Sequence, residues 1–257
     1  MFVVNWNNSP KTYFISFGAG QPNILNALAR IIAQAKSLLL FDKIYGFTDK
    51  DLREDTVFWK KHGEFIMKNK RGFGYWLWKP YLIKKVWDEM NEGDILMYCD
   101  SGNEIDIHKR NLIKHLFDVV KNDHLLGSYP AEHMKKRIPY LNEIKWTKND
   151  LLKYMNMDKN ENVLYTNQRQ ANTLLFYKCD KTTKLVEEWY NIASTNYHFI
   201  DDTPSVSNND KSFEQHRHDQ SIFSLLTKKY HLFSNITLED YIEIIRNRTG
   251  KTLLKAY

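Results

Sequence analysis

The 257-residue chain is expected to form an α/β fold built on a mostly parallel sheet, and three stretches carry that expectation. Residues 13–17, YFISF, form an apolar run that opens into Gly18-Ala19-Gly20-Gln21-Pro22. One-sided helical spacing follows through Ile24, Leu25, Leu28, Ile31, Ile32, Ala35, Leu38 and Leu39. A second apolar run at 41–47 then ends in Thr48-Asp49-Lys50. Strand, helix, strand is the opening of a parallel unit. The third stretch, Ile95–Cys99, is short and nearly all apolar, as in a strand covered on both faces.

The remaining elements follow in order. Pro80 suits the first turn of a helix whose apolar face is Leu82, Ile83, Val86, Trp87 and Met90, closed by Gly93. After Cys99 the chain stops at Asp100-Ser101-Gly102-Asn103-Glu104, and a helix follows with Leu112, Ile113, Leu116, Phe117 and Val120 inward. Strands are expected at 125–129 and 172–178, and helices at 182–193 and 219–230. Residues 130–170 are basic with isolated aromatics and read as excursions from the sheet. Residues 200–215, IDDTPSVSNNDKSFEQ, lack periodicity and read as a long loop, a candidate lid. No repeat and no linker divides the chain, so one domain is expected over 1–257.

Hydrophobic residues make up 42% of the chain, enough for a substantial core. The formal net charge of +6 points to an anionic partner: a nucleic acid, a membrane surface or a phosphorylated small molecule. The basic residues are scattered among acids, which makes the nucleic acid the weaker reading. Cys99 and Cys179 lie far apart with no CxxC spacing, so a reducing compartment is expected and no disulfide framework. No basic leader precedes an apolar run at the start, and no apolar run nears the roughly 20 residues that span a bilayer. The expectation is a soluble, cytoplasmic protein.

Three segments carry candidate chemistry. Asp100 directly follows a buried strand, where open α/β sheets bind ligands. A carboxylate there suits a hard cation such as Mg2+ or Mn2+, and equally suits capping of the next turn. In Arg71-Gly72-Phe73-Gly74-Tyr75-Trp76-Leu77-Trp78-Lys79-Pro80, the glycines allow close approach of a ligand, while Arg71 and Lys79 could neutralise phosphate. The aromatics could stack on a base or sugar, or pack in the core. In His216-Arg217-His218-Asp219-Gln220-Ser221, Asp219 can cap a helix or join its histidines as base, orienting group or metal ligand.

The ordered set RGFGYWLWKP, GDILMYCDSG and HRHDQSIFSLL resembles bacterial and giant-virus glycosyltransferases of the GT-A fold, over roughly residues 13–230. The resemblance implies a Rossmann-like sheet, a nucleotide-sugar donor with UDP as its nucleotide, and a metal bound after the central strand. Asp100 matches the first aspartate of that family's Asp-x-Asp motif, but Gly102 stands at the second acidic position. The shifted spacing of the related domains of collagen lysyl hydroxylases would make Asn103 the second ligand, with Glu104 in reserve. On the same resemblance Ser16, Phe17, Gly18 and Thr48 would contact the nucleoside, with Arg71, Trp76, Lys79, Ser101 and Gly102 completing the donor site. Asp219, with His218 and Gln220, would act on the acceptor or the transferred sugar. The family's late histidine ligand has no secure match; His218 and His231 are the candidates. Acceptors implied are glycans or glycoproteins, collagen-like hydroxylysine among them, with no nucleic acid. A nucleotide- or sugar-binding protein without turnover, and a basic nucleic-acid-binding protein, are the competing readings.

Overall fold

The computed structural model describes residues 9–127, 140–232 and 234–254, apart from 235, 239–241 and 244. The order begins β1 (Thr12–Gly18), α1 (Pro22–Leu38), β2 (Lys43–Thr48), α2 (Asp49–Glu54), α3 (Thr56–Lys68), α4 (Gly72–Tyr75) and α5 (Trp78–Trp87). It continues with β3 (Ile95–Cys99), β4 (Glu104–Ile105), α6 (Arg110–Asp123) and β5 (Leu125–Gly127). Then come α7 (Glu143–Trp146), α8 (Asn149–Tyr154), α9 (Glu161–Leu164), β6 (Thr173–Tyr177), α10 (Asp180–Thr195), α11 (Asp219–Lys229) and β7 (Ile242–Glu243). Residues 128 and 129 of the strand expected at 125–129, and 130–139 of the basic excursion, lie outside the described residues.

The main sheet runs β2-β1-β3-β6-β5. β1 pairs in parallel with β2 and β3, while β6 runs antiparallel to both β3 and β5. The sheet is mostly parallel, as expected, with β6 reversed. The reversal matters for the site. It brings the entry to β6, rather than its end, beside the carboxyl ends of β1 and β3, so that Asp100 N donates to Asn172 O at 2.7 Å.

Side chains alternate across the strands and feed two apolar layers. Tyr13, Ile15, Leu96, Tyr98, Leu174 and Phe176 pack with α5, α10 and α11 through Ile83, Trp87, Trp189 and Phe223. Phe14, Ile95, Met97 and Leu175 pack on the other face against Leu28, Ile31 and Leu38 of α1 and Ile113, Leu116 and Val120 of α6. Both faces are therefore covered, the reason β3 reads as a continuous apolar run. Among the described residues no helix is long and apolar enough to cross a membrane. Cys99 and Cys179 are free thiols.

The glycine-aromatic motif folds in an unusual way. Gly72, Phe73, Gly74, Tyr75 and Trp76 all have positive φ, between 52° and 82°, making α4 a left-handed turn. Its bonds run Tyr75 N to Arg71 O and Trp76 N to Gly72 O at 2.9 and 3.1 Å. A left-handed turn costs roughly 1–2 kcal/mol for each residue bearing a Cβ, so the two glycines limit the penalty to three positions. The expectation that these glycines admit a ligand gives way to packing. A Cβ on Gly74 would lie 2.6 Å from Ile66 Cγ1, and one on Gly72 would lie 2.4 Å from the Trp76 ring. Gly74→Ala is expected to destabilise the fold by about 2–4 kcal/mol in urea unfolding, from left-handed strain plus overpacking. A loss under about 1 kcal/mol would mean that this turn relaxes freely.

The 200–215 loop has no regular element, as expected, but it is anchored. The Asp150 carboxylate at the start of α8 accepts from Val206 N at 2.6 Å and from Ser207 N and Oγ at 2.8 and 2.5 Å. Lys148 Nζ donates to His198 O at 2.7 Å and meets Asp201 at 3.1 Å. The segment forms a tethered wall rather than a loose lid.

Candidate active site

Three elements converge at the carboxyl end of β3. Asp100 ends the strand, α5 brings Lys79 from below, and α11 starts at Asp219. Lys79 Nζ lies 3.2 Å from Asp100 Oδ1 and 3.7 Å from Asp219 Oδ2, and donates to Ala171 O at 2.9 Å. The Tyr98 hydroxyl also donates to Asp100 Oδ1. Lys79 and Asp219 are 4% and 3% exposed, whereas the Asp100 side chain is 30% exposed, so one carboxylate is sealed in and the other faces the cleft. Burying an ammonium is tolerable only when it is paired and hydrogen-bonded, and here both conditions hold.

The electrostatics follow from this burial. Desolvation pushes the Asp219 carboxyl up to about 7; Lys79 pulls against the rise and Asp100 adds to it. Burial alone would lower Lys79, but Asp100 and then Asp219 outweigh it and hold the ammonium above its ordinary value. Asp219 Oδ2 is buried without a hydrogen-bond partner. It is the first residue of α11, with His218 at the cap position, so its carboxylate does not serve as the expected cap.

His218 sits at φ 57° and ψ −131°, a region that costs a residue with a Cβ about 1–3 kcal/mol. The conformation places its ring against those of Tyr75 and Trp76, with centroids at 5.0 and 5.1 Å. Nδ1 bonds Ile200 O at 2.7 Å, and burial lowers its pKa to about 4, so the ring is neutral near pH 7. A neutral ring bonded to a carbonyl donates through Nδ1–H, which leaves Nε2 as an acceptor. That nitrogen is buried without a hydrogen-bond partner. Gln220 ties α11 to the strand entry, accepting from Ala171 N at 3.3 Å and donating to Gln168 Oε1 at 2.8 Å.

These residues line a cleft of about 470 Å3 that also takes in Arg71, Trp76, Asn172, Arg217, Arg246 and Arg248. The structure thus gathers Asp100, Lys79, Asp219, His218, Gln220, Arg71 and Trp76 of the expected set. Arg71 is engaged by Asp202 at 3.0 Å. Ser16, Phe17, Gly18 and Thr48 stand at the carboxyl ends of β1 and β2, on the same sheet edge, but none of them lines the cleft. The Phe17 ring stacks on Trp78 at 3.9 Å, Ser16 Oγ is buried without a partner, and Thr48 caps α2 through Asp51 at 2.6 Å. His231 is exposed past the far end of α11, away from the cleft.

The expected metal ligands divide. Asp100 presents a carboxylate to the cleft. Asn103 does not: its amide turns inward and donates to Thr173 Oγ1 at 2.8 Å. Glu104 is fully buried and accepts from Asn247 Nδ2, Thr252 Oγ1 and Leu253 N, so its charge is spent on the C-terminal segment. The carbonyl of Ser101 is likewise taken by Arg30, and that of Gly102 by Asn247 N. Among the described residues no cluster of three or more His, Cys, Asp or Glu is arranged to hold a metal. A cation at Asp100 would need oxygens from its ligand and from water, which is how Mg2+ is commonly held beside phosphates. Asp100 fits that role; Asn103 and Glu104 do not.

Arg217, Arg246 and Arg248 escaped the sequence reading. Arg217 rides on the Trp146 ring, 4.1 Å from its centroid. Its pKa is lowered by burial and then by the neighbouring charges of Arg71 and Arg246.

No family model matches the chain, and no curated protein matches it. Among solved structures it is similar to mouse xyloside xylosyltransferase 1 in its apo form, with a TM-score of 0.43 and 11% identity over 88% of this chain and 86% of that one. It is also similar to a glycosyltransferase involved in the glycosylation of the major capsid of PBCV-1, with a TM-score of 0.39 and 8% identity over 72% of this chain and 68% of that one. Likenesses of this depth carry neither protein's activity across to this chain.

Proposed function

We propose that the chain is a glycosyltransferase of the GT-A type that moves a sugar from a nucleotide-sugar donor, with UDP as its nucleotide, to a hydroxyl of a glycan or glycoprotein. The observation that carries the reading is the Asp100–Lys79–Asp219 array, set at the carboxyl ends of parallel strands in a cleft rimmed by arginines. Cationic side chains near a sheet's carboxyl edge suit a phosphorylated ligand, and a buried carboxylate titrating near 7 suits a hydroxyl that must lose a proton. The anchored three-motif resemblance points the same way.

In this reading each group has a distinct task. Lys79 holds the two carboxylates in register and offsets their mutual repulsion. Asp219, which lines the cleft and is half-protonated near neutrality, accepts the proton of the acceptor hydroxyl on its carboxylate, with the Lys79 ammonium 3.7 Å from Oδ2. Gln220 fixes the start of α11 against the entry to β6, and the His218 ring stacks the left-handed turn against the same helix start. Asp100 would hold Mg2+ or Mn2+ together with the donor's phosphate oxygens; when bound, the ion supplies a Lewis acid at the leaving diphosphate.

The test is to incubate the chain with a panel of nucleotide sugars and Mn2+ and to follow free nucleoside diphosphate. Sustained release, stimulated by a glycan acceptor, is the expected result. Binding without release across the panel would reduce the chain to a nucleotide- or sugar-binding protein. Failure to bind any nucleotide sugar would overturn the reading.

A further inference from the structure

The C-terminal segment is built onto the loop after β3 by a clamp of buried polar groups. Arg30 of α1, 6% exposed, donates through Nη1 to Asn247 O at 3.0 Å and Thr249 O at 2.8 Å. Through Nη2 it donates to Ser101 O at 2.9 Å and Asn103 O at 2.8 Å. One guanidinium thus ties the loop carrying Asp100 to the segment carrying Arg246 and Arg248. β4 pairs with β7, Asn247 N donates to Gly102 O at 2.8 Å, and Glu104 takes up the groups of Asn247, Thr252 and Leu253. Asn247 is buried at 3% exposure while its two neighbours are exposed, so the segment sends one residue inward and an arginine on either side outward. Both arginines line the cleft with Arg217.

Arg217 gains from its stack on Trp146 and the clamp gains from its hydrogen bonds, but among the described residues the charges of the three arginines are not offset by any paired acid. Among the described residues none of these three guanidiniums has a carboxylate at ion-pair distance, while Asp100 and Asp219 are already shared by Lys79. Like charges gathered in a cleft repel one another, and a fold that fixes them there gains only when an anion arrives. Guanidinium forks pair with phosphate oxygens in bidentate fashion, and three of them match two adjacent phosphates better than one.

We propose that Arg217, Arg246 and Arg248 form an anion site that holds the two phosphates of a nucleoside diphosphate, with the Arg30 clamp as its support. The proposal rests on the nucleotide-sugar reading and deepens it: the diphosphate's charge is met chiefly by the C-terminal arginines, and binding does not require a divalent cation.

The experiment is calorimetry on the whole chain with inorganic phosphate, inorganic pyrophosphate, uridine and UDP, first in EDTA and then with Mn2+. Pyrophosphate and UDP should bind in EDTA, each at least about tenfold more tightly than phosphate or uridine respectively, as expected for added charge-assisted bonds. The double variant Arg246→Gln/Arg248→Gln should lose at least about tenfold for both diphosphates. The exposed positions of both residues keep its melting temperature at the parent's, and Arg53→Gln, on α2 outside the cleft, serves as the unaffected control. Equal affinities of parent and double variant in EDTA would overturn the anion site. UDP binding only with Mn2+, and equally in both proteins, would overturn it too while leaving the donor reading intact. Pyrophosphate binding lost in the double variant, with UDP bound no better than pyrophosphate, would keep the arginines as an anion site and remove the nucleoside from it.

Discussion

Asp219→Asn is expected to lower the transfer rate by about two orders of magnitude while leaving UDP affinity within about twofold of the parent, the pattern of a lost acid–base group. The carboxylate is 3% exposed, and Oδ2 makes no hydrogen bond but lies 3.7 Å from the Lys79 ammonium, so Asn fits its volume and removes its charge and basicity. A base must be unprotonated to act, and the carboxyl titrates near 7. The parent's kcat/KM should therefore rise with pH and level off above about 7, while the Asn variant shows a flat profile over the same range. Stability should move little. The folded pKa lies above the unfolded value of 3.8, so this group's contribution is present at low pH and is lost as pH rises toward about 7. Asn removes that cost above neutrality but takes a partner from Lys79, and the two changes oppose each other. A melting shift within about 4 °C is expected. An unchanged rate together with an unchanged pH profile would make Asp219 a structural residue.

The sequence was legible where one physical rule dominates. β1, α1 and β3 are covered on both faces or on one broad stripe, and their apolar periodicity reports that directly. Asp100 was legible because it sits where a covered strand must end. The reversal of β6 was not, because Thr173–Tyr177 has the same apolar pattern read in either direction. Nor was the left-handed turn at 72–76, since no local preference favours Phe73, Tyr75 and Trp76 at positive φ; it is held by Ile66, Trp78 and His218 from elsewhere in the chain. Asn103 and Glu104 stood at ligand spacing, yet their directions are set by Thr173 and by a C-terminal segment well over one hundred residues away. Arg246 and Arg248 enter the cleft through that same docking, which the long-range bonds of Arg30, Glu104 and Gly102 hold in place.

Lys79→Met should produce the largest loss of stability, because it removes the one cation between two carboxylates. The methionine keeps much of the stem's volume, so packing against Trp78 and Tyr98 changes less than charge does. Breaking a buried pair by deleting one partner costs about 3–5 kcal/mol, since the remaining charge stays desolvated. The loss should depend on pH, and its sign is fixed by Asp219. In the parent, Lys79 pulls the Asp219 carboxyl down against burial and Asp100; without it that carboxyl titrates higher still. Near pH 5 Asp219 takes a proton in both proteins and the repulsion with Asp100 is absent. Near pH 8 the variant must either hold two carboxylates together or keep a proton that the unfolded chain releases, and either outcome favours unfolding. Urea unfolding at the two pH values should therefore show a penalty of about 3–5 kcal/mol at pH 8 and a clearly smaller one at pH 5. Equal penalties at both would assign the role of Lys79 to its aliphatic stem and its bond to Ala171, and the coupling of Asp100 to Asp219 through this ammonium would fall.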